Sequence, residues 1–336
     1  MLILREHEDA VRQGVTPTIG PMSLFSELQP GRLLGVAAAV ALAACQTAPM
    51  APAVPPAGPA NPPPVVAPPV AEAPKPLPQP PRIGLALGGG AARGFAHIGV
   101  IQVLEENGIR PDLVVGTSAG SLVAALYASG KNGAALMQLA DGMDETTLTD
   151  WSFPGRALLR GDALARYVRD QTGGRMIEQM RLPLGIVATD LDNGQPILFQ
   201  LGDAGLAVRA SSAVPAVFQP VRIGKREYVD GGLVSPVPVR FARQMGAELV
   251  IAVDISAVPD GNATGDAMRM LLQTFAIMGR SINSFELREA DVVLRPKLPG
   301  VSGADFTARK RSIQAGRDAA LALMAELRSR IAAKTK

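Results

Sequence analysis

The chain has 336 residues, enough for one large domain or two small ones, and 47% apolar residues are enough to bury a sizeable core. A net charge of +3, spread without long basic runs, argues against nucleic-acid binding. Cys45 is the one cysteine, and His7 and His97 are the two histidines. An intrachain disulfide framework and a cysteine-based zinc site are therefore excluded.

Residues 1–21 are polar and patternless, and Met22 offers an alternative start. After Arg32 comes an apolar run over 33–44 that ends in Leu-Ala-Ala-Cys. About a dozen apolar residues are too few to span a bilayer but suit the core of a secretory signal behind one positive charge. Small residues before a lone cysteine resemble the lipobox of bacterial lipoproteins, which implies a lipid on Cys45. Gln46, rather than aspartate, follows it. The resemblance therefore points to anchorage at the outer membrane. Residues 1–45 are read as this leader, against the plainer reading of a secretory signal with an incidental cysteine. Residues 46–81 are mostly Pro, Ala and Val and form no packed core. As an extended spacer they would reach up to ~100 Å at about 3 Å per residue.

The folded domain is expected over 82–336. Its pattern alternates strand and helix. A strand over 83–87 leads into the glycine loop Gly88-Gly89-Gly90-Ala91-Ala92-Arg93-Gly94 and a helix over 95–107. A strand over 113–115 runs into Gly116-Thr117-Ser118-Ala119-Gly120 and an Ala-rich helix. Further helices are predicted over 119–129, 133–141, 162–171, 205–211, 239–246, 267–290 and 308–333. Strands are predicted over 184–189, 197–200, 249–255 and 292–295. Extended segments over 218–223 and 225–230 complete the pattern, the second leading into Gly231-Gly232. Such alternation implies an α/β fold built on a largely parallel sheet.

Two stretches carry chemistry. Strand, sharp turn and helix around Ser118 would lift a hydroxyl above the sheet edge, with glycines keeping side chains clear of a substrate. The helix would aim its N-terminal amides at the same spot. The plainer reading is a βα turn with Ser118 as a helix cap. The glycine loop fails the dinucleotide fingerprint in both registers, because Arg93 or Ala91 stands where glycine is needed. It suits an oxyanion hole, in which consecutive backbone amides converge on a small anion. Arg93 would fix the loop or add positive charge.

A serine nucleophile needs a base. No histidine follows Ser118, which excludes the serine–acid–histidine order of α/β-hydrolases. A lysine, a carboxylate, or His97 out of order is left. Asp230 stands out, at the end of an extended run and before two glycines that permit close approach. Asp190 reads more simply as a turn residue and Asp254 as a strand-end cap.

The ordered motifs Gly-Gly-Gly-Ala-Ala-Arg-Gly, Gly-Thr-Ser-Ala-Gly, Ala210-Ser211-Ser212-Ala213-Val214-Pro215 and Asp-Gly-Gly resemble the patatin-like phospholipase family, in particular its bacterial and neuropathy-target-esterase-like members. The resemblance covers about residues 82–300. It implies a three-layer α/β/α sandwich with a mostly parallel sheet, and metal-free, cofactor-free hydrolysis of lipid acyl esters. It also implies Ser118 as nucleophile and Asp230 as base. The oxyanion hole would be the amides around Gly88, Gly89 and Gly90, with Arg93. Ala91 stands where many members carry a fourth glycine, and the equivalent backbone amide remains. The expected protein is a membrane-anchored serine hydrolase whose partner is a lipid ester. A non-catalytic lipoprotein scaffold of the same fold and a nucleotide-dependent oxidoreductase are the rival readings.

Overall fold

The structure, a computed structural model, describes residues 78–336 apart from 144, 149, 152–156 and 259–264. These belong to the second of two compact units in the chain, Ala73–Lys336. The expected leader with Cys45, and the linker as far as residue 77, lie outside the described residues.

Eight strands form one sheet: β1 Ile83–Leu87, β2 Leu113–Thr117, β3 Leu184–Asp190, β4 Pro196–Phe199, β5 Val221–Ile223, β6 Arg226–Asp230, β7 Leu249–Val253 and β8 Val292–Leu294. The central strands are continuous apolar runs because both of their faces are covered. Leu85 and Leu87 of β1, with Ile251 and Val253 of β7, belong to one core. Their neighbours Ala86, Val250 and Ala252 belong to a second core on the opposite face. Each fully buried aliphatic side chain contributes about 1.5–3 kcal/mol.

The helices are α1 Phe95–Glu106, α2 Ala119–Ala128, α3 Gly133–Asp141, α4 Glu145–Leu148, α5 Asp162–Thr172, α6 Ala204–Ser211, α7 Val239–Gln244, α8 Ala267–Glu286, α9 Arg309–Ala322 and α10 Met324–Lys334. Side chains of α1, α2, α9 and α10 fill the first core, and Val239, Phe241 and Ala242 of α7 fill the second. The result is the expected α/β/α layering around a mostly parallel sheet. No helix among the described residues is long and apolar enough to cross a membrane.

The pairing of β3 decides where the site lies. β4 runs antiparallel along residues 186–189 of β3, so it occupies one edge. The other edge is shared. β2 runs parallel along its first half, ending with Thr117 opposite Val187. β6 runs antiparallel along its second half, ending with Asp230 opposite Ala188. The C-terminal ends of β2 and β6 therefore meet tip to tip on one edge of β3.

Boundaries differ from expectation by a few residues at several element ends. The strand expected over 249–255 stops at Val253, and the helix expected over 267–290 ends as a 3-10 turn, Leu287–Glu289. The terminal helix breaks at Leu323 (φ −108°, ψ 10°), which returns Met324 and Leu327 to the core. No glycine or proline marks that break, so tertiary packing overrides a helical sequence. The short α4 was not expected.

Candidate active site

Ser118 sits between the last residue of β2 and the first of α2, at φ 52° and ψ −124°. Side chains other than glycine rarely adopt this region, and holding one there costs about 1–3 kcal/mol. The turn is sterically over-determined. A Cβ on Gly120 would stand 2.1 Å from the Leu87 carbonyl oxygen, and one on Gly116 would stand 2.4 Å from that of Gly120. The Ser118 N–H donates to Ser211 Oγ (2.8 Å), which in turn donates to the Val187 carbonyl (2.5 Å). The Ser118 carbonyl accepts from Ser121 Oγ (2.6 Å). Ser118 occupies the N-cap position of α2, yet its hydroxyl caps nothing. The plain helix-cap reading therefore does not hold.

Asp230 ends β6 and is 6% exposed. Its N–H donates to the Ala213 carbonyl (3.0 Å), and its own carbonyl accepts from Thr189 Oγ1 (2.8 Å). Oδ1 accepts from the Gly232 N–H (2.6 Å). Burial pushes the carboxyl up to about 6; hydrogen bonds from the Ser118 hydroxyl and the Gly232 amide oppose that rise. The Ser118 hydroxyl thus neighbours the Asp230 carboxylate, whose Oδ2 is buried and accepts no hydrogen bond. An aspartate near 6 is ionised at neutral pH and more basic than an exposed carboxylate.

The glycine loop packs against the serine: a Cβ on Gly89 would stand 3.1 Å from Ser118 Cβ. Two of the amides expected in an oxyanion hole are already paired. The Gly88 N–H donates to the Val253 carbonyl (3.0 Å) and the Gly89 N–H to that of Pro236 (2.9 Å), so both are committed. Gly88 and Gly89 shape the loop, whereas among the described residues no acceptor meets the amides of Gly90 and Ala91. Ala91 holds φ 50°, which turns its amide with the loop. Arg93 ties the loop down through its Nε, which donates to the Ile255 carbonyl (2.9 Å).

The remaining candidates have other partners. His97 is fully buried beneath the loop, and its Nε2–H donates to the Gly88 carbonyl (2.8 Å). Burial lowers its pKa to about 4, so it is neutral at pH 7. It supports the loop and does not line the cavity. Asp190 pairs with Arg226 and accepts from the Asp192 N–H. Asp254 accepts from the Ser256 N–H (3.1 Å) and faces Arg295. These are the turn and strand-end roles expected of them. Among the described residues no three His, Cys, Asp or Glu side chains gather as a metal site would need. The sequence assigned no role to Ser211, which couples the Ser118 turn to β3. Its signal was the Ala-Ser-Ser-Ala-Val-Pro stretch between the two site residues.

Ser118, Asp230, Gly90 and Ala91 open onto a cavity of about 1040 Å³. Its walls are apolar, with Leu122, Leu126, Leu136, Met143, Leu164 and Phe218 among them. A hydroxyl, an adjacent buried carboxylate and unpaired amides at the end of an apolar cavity are suited to acyl transfer on a greasy substrate.

Residues 85–243 match the family model Patatin, described as patatin-like phospholipase. An uncharacterized NTE family protein of Mycobacterium tuberculosis (strain ATCC 25618 / H37Rv) is 38% identical over 186 residues, 54% of this chain and 51% of that protein. Patatin-like phospholipase domain-containing protein 6 of Mus musculus is 34% identical over 183 residues, 52% of this chain and 14% of that protein. The chain thus spans about half, or less, of the length of these relatives. The crystal structure of VipD from Legionella pneumophila shares the fold, with a TM-score of 0.50 at 18% identity, over 74% of this chain and 68% of that one. Together with the fold and the ordered motifs, these matches show that the chain carries a patatin-like phospholipase domain in residues 85–243.

Proposed function

We propose that the protein is a serine hydrolase of lipid acyl esters working through a Ser118–Asp230 dyad. The observation that carries this reading is the tip-to-tip meeting of β2 and β6, which sets a strained serine beside a buried, unsaturated carboxylate at the end of an apolar cavity. Asp230 takes the Ser118 proton as Oγ attacks the ester carbonyl, and the amides of Gly90 and Ala91 hold the oxyanion. The intermediate collapses, the C–O bond breaks, and the departing alcohol takes the proton back from Asp230. Water, deprotonated by Asp230, then attacks the acyl-Ser118 ester; the acyl C–Oγ bond breaks, Ser118 Oγ takes that proton back from Asp230, and the fatty acid is released. Nothing in this sequence of steps requires a histidine, and His97 is already engaged with Gly88. The apolar walls suit a fatty acyl chain, whose burial contributes about 0.8 kcal/mol per methylene. The outer-membrane lipid anchor on Cys45 is part of the same proposal, supported by the placement of the chain's single cysteine after a short apolar run.

A fluorophosphonate probe followed by peptide mapping tests the nucleophile: label is expected on Ser118 and absent from Ser118→Ala. Hydrolysis of a panel of phospholipids, lysophospholipids and acylglycerols then defines the substrate. A folded protein that takes no label and cleaves no ester on the panel would refute the proposal.

A further inference from the structure

The longest described helix, α8, breaks the rule for surface helices. Such a helix buries one apolar stripe and shows solvent a charged face. α8 buries only Gly279, Asn283 and Glu286. Its inward side, including Leu272, Phe275 and Ala276, lines the cavity that holds Ser118. Its outward side is also apolar. Met270, Ile277, Met278 and Phe285 recur at i, i+7, i+8 and i+15 on one face, and their exposures are 56%, 55%, 46% and 64%. The positions between them on that face, Thr274 and Ser281, are uncharged. Four large apolar side chains left in water on one helix face mark an interaction surface.

The charges around α8 say what covers it. A second cavity, of about 450 Å³, lies along the C-terminal half of the helix, lined by Arg280, Arg288 and Arg295 together with Asn283. Arg295 faces Asp254, and the Arg288 guanidinium lies over the Phe285 ring (5.1 Å), but neither Arg280 nor Arg288 has a carboxylate partner among the described residues. Glu286, the acidic residue of α8 itself, is buried against Ser235. The surface is therefore apolar with a flank on which Arg280 and Arg288 outnumber the one exposed carboxylate, Glu289, just past the helix end. An isologous contact between two copies centred on this cationic flank would set those arginines against each other. Resting on the hydrolase reading above, we infer that α8 docks on the surface of an anionic lipid bilayer. Met270, Ile277, Met278 and Phe285 enter the acyl layer, and Arg280 and Arg288 meet headgroup phosphates. The helix is not apolar enough to cross a membrane, as expected for one lying in the interface. Since its other side lines the cavity, docking brings a wall of the cavity to the source of substrate.

The test uses the full chain with Ser118→Ala, so that lipid survives the measurement. Deuterium uptake by peptides covering 267–286 is followed with and without vesicles of equal parts phosphatidylethanolamine and phosphatidylglycerol. Vesicles are expected to slow exchange in α8 by about tenfold or more, because insertion removes four apolar side chains and their backbone from water. Pure phosphatidylcholine vesicles are expected to protect it less. The triple change Met270→Gln, Ile277→Gln, Met278→Gln is expected to abolish the protection. In the Ser118 background those three changes leave turnover of a soluble short-chain ester within about twofold, since none of the three lines the cavity. Protein that sediments with vesicles while α8 exchanges as before would overturn the inference, as would protein that does not sediment. Protection that rises with protein concentration in the absence of lipid would assign the face to a second copy and overturn it as well. Equal protection by phosphatidylcholine would refute the role of the arginines. The exchange measurement does not depend on catalysis, so a chain that docks but cleaves no ester would sink the hydrolase reading and leave the docking standing.

Discussion

Replacing Asp230 by asparagine should abolish activity and stabilise the fold at the same time. The carboxyl is buried, and its pKa rises from 3.8 to about 6 because burial disfavours the charged form more than Gly232 and Ser118 favour it. A raised acid pKa means that the native state holds the proton more tightly than the unfolded chain. Stability from this group is therefore complete below about 3.8 and is lost as pH rises through about 6. At about 1.4 kcal/mol per pH unit, the buried charge costs about 3 kcal/mol at pH 8. The substituted carboxamide would keep an oxygen for the Gly232 N–H and carry no charge. Asp230→Asn is thus expected to raise the midpoint of thermal unfolding at pH 8 by roughly 6–12 °C for a domain of this size. The gain should shrink to well under about 1 kcal/mol near pH 4, where the charge is lost in the native state. Ester hydrolysis by the variant should fall to the level of Ser118→Ala. For the native enzyme, kcat/KM should climb with pH and level off above an inflection near 6, as the base ionises. Unfolding scans at both pH values and a chromogenic ester assay supply the measurements. A variant no more stable than the parent at pH 8, or one gaining equally at pH 4, would refute the burial argument. A stable variant with near-native turnover would remove Asp230 from the mechanism.

Four further outcomes are expected. Gly89→Val places a branched side chain against Ser118, whose Cβ lies 3.1 Å from the position of the new Cβ, and should lower the acylation rate by about 10² with the fold retained. Gly120→Ala forces a Cβ to 2.1 Å from the Leu87 carbonyl and should cost more than about 4 kcal/mol, read as loss of soluble, cooperatively unfolding protein. His97→Ala removes a buried hydrogen bond to Gly88 and should lower stability by about 2–4 kcal/mol in denaturant titrations, while turnover stays far above that of Asp230→Asn; the reverse ranking of activities would point to a serine–histidine enzyme. Cys45→Ser should abolish acylation and release the protein from the outer-membrane fraction; unchanged fractionation would refute the lipid anchor.

The strand–turn–helix around Ser118 was legible because its determinants are local and steric. Gly116 and Gly120 are glycines since backbone stands where their side chains would be, and the apolar run before them is a strand covered on both faces. Asp230 was legible as a candidate from the run that precedes it and the glycines that follow. Its neighbour on the sheet was not, since whether β6 runs parallel or antiparallel to β3 is settled by contacts far apart in sequence. The break at Leu323 and the turn Glu145–Leu148 carry no glycine or proline signal and follow from packing.

By itself the sequence determined the α/β alternation, the glycine-bearing turns, the want of a second histidine in the domain and the family resemblance, because each rests on residue identity at short range. Only the tertiary structure decided that the ends of β2 and β6 meet on one edge of β3, which requires strands from three regions of the chain in register. It alone decided that Gly90 and Ala91, rather than Gly88 and Gly89, keep their amides unpaired, because the acceptors at Val253 and Pro236 come from elsewhere in the chain. It alone left the outer face of α8 uncovered. An apolar helix sequence is equally suited to a core, and only the position of the surrounding elements shows that Met270, Ile277, Met278 and Phe285 stay about half exposed.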